Sequence, residues 1–126
     1  LAEASGTPSH WTEWFDEELA WGRPAVALAS LLGTVVFAPV LEEIVFRGLL
    51  FATLRRRLPW PVAAVLSAAI FAAAHGYGAA GFGSVFVSGV LWAAAYEKTG
   101  SVLPGTAAHV ANNVAAAAGV LLLLRG

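Results

Sequence analysis

The chain has 126 residues, of which 59% are hydrophobic and only 12% charged, with seven Lys or Arg against eight Asp or Glu. A soluble domain is nearer a quarter charged, so as a monomer in water this chain would expose a large apolar surface. The length suits one domain, a net charge of -1 offers no basic face to nucleic acid, and the lack of cysteine removes any disulfide framework, CxxC redox pair or thiolate metal site. Leu1 and the absence of methionine point to an excerpt of a longer protein.

Taken in chain order, the acidic residues Glu3, Glu13, Asp16, Glu17 and Glu18 crowd the start together with Trp11, Trp14, Phe15, Leu19 and Trp21. Aromatic anchors among acids predict an amphipathic helix lying in the membrane interface over 1–23. Beyond Arg23 the chain changes character. Residues 24–54 are apolar except for Glu42, Glu43 and Arg47, and neither 58–96 nor 99–124 contains a charge. A bilayer core takes about 20 apolar residues per spanning helix, and Gly76, Gly78, Gly81 and Gly83 split the middle run into two. The expected fold is therefore all-α: a polytopic transmembrane helix bundle of about four spanning helices, near 24–54, 60–75, 83–97 and 103–124. The first is too long for one straight span, and Pro39 is expected to kink or divide it. Strands are excluded because a lone strand in lipid cannot satisfy its backbone hydrogen bonds.

Small residues recur along the runs, among them Gly33, Ser67, Ala68, Ala72, Gly89 and Ala93, and they let helices approach closely. Arg55 to Arg57 and Lys98 are expected to face the cytoplasm, which leaves the glycine-rich 76–83 loop on the far side.

Three charges inside an apolar run each cost about 2.5 to 3.5 kcal/mol at mid-span, so packing convenience does not account for them. On a helix Glu43 and Arg47 are four apart with the acid first, the better order for an ion pair. Glu42 points about 100 degrees away and has no partner in its own helix. A carboxylate in a low-dielectric site holds its proton more readily than in water, and so approaches the range where it serves as a general base at neutral pH. His75 closes the second apolar run, and His109 lies in the last with Asn113 one turn later. Counted from the basic markers, Glu42 and His75 lie at depths of roughly 20 and 22 Å, Asn113 at roughly 15 Å and His109 at roughly 9 Å. One layer requires the 100–104 turn to dip into the bundle.

Glu42-Glu43-Ile44-Val45-Phe46-Arg47-Gly48 reads as EExxxR, Phe71 to His75 as FxxxH, and His109 to Asn113 as HxxxN. In this order and spacing the chain resembles the CAAX protease and bacteriocin-processing (CPBP) family of intramembrane proteases, also called Abi, over roughly residues 39–116. The resemblance implies further helices upstream and a protease core over 24–126. It also implies hydrolysis of a peptide bond near the cytoplasmic half of the membrane. Glu42 is then the general base, His75 positions water or substrate, His109 and Asn113 stabilise the oxyanion, and Arg47 orients Glu43. Members have been described both as metalloproteases, which would make Glu42, His75 and His109 a zinc site, and as metal-independent glutamate proteases. HExxH is absent here. The implied partners are the lipid bilayer and a membrane-associated peptide or protein. Six arginines against one lysine, with abundant alanine and glycine, fit the cytoplasmic membrane of a GC-rich bacterium.

Other classes fare worse. A rhomboid-like serine protease needs GxSG, and Phe86 stands where its leading glycine belongs, so Ser84 and Ser88 read as small packing residues. A non-catalytic family member acting as scaffold or bacteriocin-immunity protein would not need Glu42, His75, His109 and Asn113 intact. A proton-relaying transporter would be unusual with so few spans.

Overall fold

The computed structural model describes residues 23–125. The expected interfacial helix over 1–23 falls, apart from Arg23, outside these residues. Every element described is helical, and three helices are long and apolar enough to cross a membrane. They are α1 (Pro24–Arg55), α3 (Ala79–Thr99) and α4 (Leu103–Arg125); the fourth element, α2 (Trp60–Ala74), is apolar but has only 15 residues. At about 1.5 Å per residue α2 is roughly 22 Å long, short of a hydrocarbon core of about 30 Å.

α1 neither breaks nor ends at Pro39. It is continuous over 32 residues and passes through two π-type stretches, Gly33–Phe37 and Ile44–Phe51. The first of these absorbs the proline. Ala38 N–H reaches back five residues to the Gly33 carbonyl, and the next donor in that pattern would be Pro39, which has no N–H for the Thr34 carbonyl. The second stretch contains Arg47 and begins one residue after Glu43. π-turns of this kind are frequent at functional sites.

Prolines and glycines set the other boundaries. α2 starts on Trp60-Pro61, where a missing N–H costs nothing. After α2 the chain turns through Gly76 in the left-handed region, φ +66°. α3 starts after an extended Gly78, four residues earlier than the glycine pattern suggested, so Gly81 and Gly83 are helical. Its other end is closed by Gly100, φ +65°, whose N–H bonds the Tyr96 carbonyl at 2.7 Å. Ser101 Oγ then accepts the Leu103 N–H that opens α4.

The tightest packing joins α2 to α3 through side chains with almost no volume. Ala64, Ala68 and Ala72, four apart on α2, are buried, as are Gly89 and Ala93 on α3. A β-carbon on Gly89 would stand 3.0 Å from Ala68 Cβ and 3.1 Å from an Arg47 guanidinium nitrogen, so the close approach requires glycine. Phe51, Ala63, Ala64 and Ala93 form a core that Leu54, Leu58 and Tyr96 flank. At the same end Arg55 grips both Glu97 carboxylate oxygens, with Nε 3.0 Å from each, and ties the close of α1 to the close of α3.

The α3–α4 turn does dip into the bundle. Val102 lies against Gly48, and Gly105 lies against Glu43, more than a turn inside α1. α4 thus starts deep, which raises His109 to the level of Glu42 and puts the sequence-predicted residues in one layer.

Candidate active site

Glu43 and Arg47 form the buried base of this layer. Arg47 donates from one guanidinium nitrogen to Glu43 Oε1 at 2.8 Å, and from the other to the Gly89 carbonyl at 3.1 Å. Its guanidinium carbon sits 4.3 Å from the centre of the Phe71 ring and 5.2 Å from that of Trp92. The cation is therefore enclosed by one carboxylate, one carbonyl and two aromatic faces. Glu43 Oε2 and Arg47 Nε find no hydrogen-bond partner among the described residues. The pairing expected from the i,i+4 spacing is present, but Glu43 does more than neutralise Arg47.

Glu43 Oε1 also receives His109 Nδ1 at 3.2 Å. With an arginine already donating to that carboxylate, the imidazole nitrogen facing it carries a proton. In the neutral ring Nε2 of His109 is then an acceptor, and it lies 3.6 Å from Glu42 Oε2. His75 repeats the arrangement. Its Nδ1 lies 2.8 Å from the Phe71 carbonyl, which can only accept, so Nδ1–H points there and Nε2 turns toward Glu42 Oε2 at 3.8 Å. Acceptors from three helices thus meet around Glu42 Oε2: Glu42 itself on α1, His75 at the end of α2 and His109 of α4. Glu42 has no partner within its own helix, as expected, and its neighbours come from elsewhere in the bundle.

Phe71 and Trp92 hold both rings in place. The Phe71 ring meets His75 edge-on at 4.6 Å and His109 at 5.9 Å, while Trp92 stacks on His109 at 4.1 Å with 22° between planes. Sequence reasoning had no role for Trp92, although it is the one tryptophan of α3 and stands between Gly89 and Ala93. It also missed Gly105. A β-carbon there would lie 2.7 Å from Glu43 Oε2, so glycine in the first turn of α4 is what lets Glu43 reach His109.

Asn113 reaches the layer differently. Its Nδ2 donates at 3.0 Å to the Thr34 carbonyl, the one for which Pro39 supplies no N–H. Asn113 also borders a cavity of about 140 Å³ that Glu42, His75 and His109 line. Tyr77, held between Gly76 and Gly78 and 5.4 Å from the His75 ring, lines it too. Burial, and then the charge of Glu42, push the Tyr77 phenol up to about 12, so the hydroxyl keeps its proton. Ser84 and Ser88 border this cavity rather than only spacing helices, as does Asn112.

Among the described residues no group of three or more His, Cys, Asp or Glu side chains is placed to hold a metal ion. The set of Glu42, His75 and His109 that zinc would need does not form such a group, and no chemistry below depends on one.

A membrane-helix bundle with a carboxylate and two imidazoles beside a cavity of about 140 Å³ has the makings of an intramembrane hydrolase. Residues 24–115 match the family described as type II CAAX prenyl endopeptidase Rce1-like, and the chain belongs to that family. The match agrees with the CPBP resemblance read from the motifs. No curated protein and no solved structure gives a significant match. The chain is thus an integral membrane protein of a protease family.

Proposed function

We propose that this chain is an intramembrane endopeptidase in which Glu42 activates water for attack on a peptide bond of a membrane-associated substrate. The observation that carries the reading is the convergence of Glu42 Oε2 with the Nε2 atoms of His75 and His109, at 3.8 and 3.6 Å. Acceptors meeting around Glu42 Oε2 call for a small double donor, and water is one. Its two hydrogens bond Glu42 and His75, which leaves an oxygen lone pair directed at the substrate carbonyl.

As that oxygen bonds to the carbonyl carbon, one water proton passes to Glu42 and the C=O electrons move onto oxygen. His109 keeps its Nδ1–H on Glu43 and its Nε2 as an acceptor beside Glu42, so the oxyanion donor from α4 is Asn113. Asn113 has two N–H donors; one serves Thr34 and the second serves the cavity. Such donors are worth about 10²- to 10³-fold in rate each. Collapse breaks the C–N bond, and the proton on Glu42 leaves with the amine. The family description points to prenylated CaaX proteins, while the composition favours a bacterial cytoplasmic membrane and therefore another membrane peptide.

The test is Glu42→Gln. Proteins whose cleavage stops in cells carrying the variant identify the substrate, and a quenched peptide built on that cleavage site is assayed in proteoliposomes. Turnover should fall by at least about 10²-fold, the usual worth of a general base, with insertion and thermal unfolding unchanged. Wild-type turnover would refute the assignment. A phenotype that survives the substitution, with no cleavage by either form, would instead favour the scaffold or immunity reading.

A further inference from the structure

The polar lining of the cavity extends beyond the groups that the proposed chemistry uses. Ser84 and Ser88 of α3 and Asn112 of α4 all border it, and the side chains of these three make no hydrogen bond among the described residues. Elsewhere the membrane-facing surface of α3 is apolar, as at the exposed Val87 and Leu91. Ser84 and Asn112 are exposed and Ser88 is half-buried, so their polar groups are accessible to a partner that enters the cavity.

A scissile peptide bond has a specific need of its own. In a helix its carbonyl is hydrogen-bonded and shielded by the next turn, so attack requires the segment to unwind. An unwound segment in a membrane has backbone N–H and C=O groups that lipid cannot satisfy, at several kcal/mol each. The enzyme must supply partners. The spacing of the two serines suits that task. Four residues of α3 rise about 6.0 Å, while backbone groups on one edge of an extended chain recur every two residues, about 6.6 Å.

We propose that Ser84, Ser88 and Asn112 form a substrate subsite that binds one edge of an extended peptide, with the two serines meeting alternate residues of its backbone. This rests on reading the cavity as peptide-cleaving. The hydroxyls accept backbone N–H groups and donate to carbonyls, and the Asn112 amide does both from the opposite helix. Recognition of this kind is independent of substrate side chains.

The test reads binding without catalysis. Full-length Glu42→Gln protein in detergent is titrated with a fluorescent hexapeptide of alternating Ala and Leu, and with a version N-methylated at alternate amides. The expected result is saturable binding of the first peptide, weakened about fivefold per lost hydrogen bond by Ser84→Ala, Ser88→Ala or Asn112→Leu. N-methylation should weaken binding to the Glu42→Gln protein but have little further effect once both serines are alanine. Absence of saturable binding, or equal affinity for both peptides, would overturn the subsite, as would unchanged affinity in the serine variants. Binding as expected by a protein whose Glu42 form cleaves nothing would leave the subsite standing and remove only the catalytic reading.

Discussion

Asn113 donates to the Thr34 carbonyl at 3.0 Å, the carbonyl that Pro39 leaves without a helical donor five residues on. An asparagine carried over as an oxyanion donor is therefore also a tie between α4 and the π-turn of α1. Asn113→Ala should lower stability by about 1 kcal/mol, the net worth of one hydrogen bond, as well as activity. Thermal unfolding in detergent measures the first effect. A residue serving the oxyanion alone would leave the melting temperature where it was.

Glu43 is the shared acceptor for Arg47 and His109, so its loss should act on fold and chemistry together. Glu43→Gln leaves a buried arginine without its counter-ion, a defect that typically costs about 3 to 5 kcal/mol. Expression and unfolding midpoint should fall well below those of Glu42→Gln. Equal stability in the two variants would contradict the role of Glu43 as the buried counter-ion of Arg47.

Gly105 provides a test at a position no motif marks. Alanine there puts a β-carbon 2.7 Å from Glu43 Oε2, and overpacking of this kind costs about 1 to 3 kcal/mol. The carboxylate must move, and His109 with it. Gly105→Ala should lose turnover although it adds a single methyl group at a residue that does not itself line the cavity. By contrast, Gly119→Ala meets nothing within 4 Å and should be tolerated.

Tyr77 gives a signal in alkali. Its phenol ionises at about 12 in the folded protein, against about 10 in an unfolded chain. A folded pKa raised above the unfolded one contributes stability in full below pH 10, and that contribution is lost as pH rises toward 12. The wild type should therefore destabilise more steeply over this window than Tyr77→Phe. Tyrosinate absorbance should show one group titrating late, absent from the variant. A titration of all tyrosines near 10 would contradict the burial of this ring.

Much of this architecture was legible because lipid enforces simple rules. Uncharged runs marked the helices, and the isolation of Glu42, Glu43 and Arg47 marked the site. The i,i+4 spacing gave the ion pair, since it depends on one helix alone. What the sequence hid were relations between helices. Continuity through Pro39 depends on a π-turn and on Asn113, 74 residues later. The role of Gly105 depends on how deeply α4 begins, and depth counting along single helices placed His109 too shallow because it took α4 to start at the membrane edge. Trp92 carries no motif, and its contact with His109 exists only once α3 and α4 meet.

The shortness of α2 has its own consequence. Its base is fixed by the prolines at 59 and 61 and its tip is His75, so the number of residues between them works as a ruler for how far below the membrane surface His75 stands. Inserting four alanines would keep its facing nearly unchanged and displace it by about 6 Å, a full turn past Glu42. Helix length, as much as side-chain identity, thus decides whether the three acceptors meet.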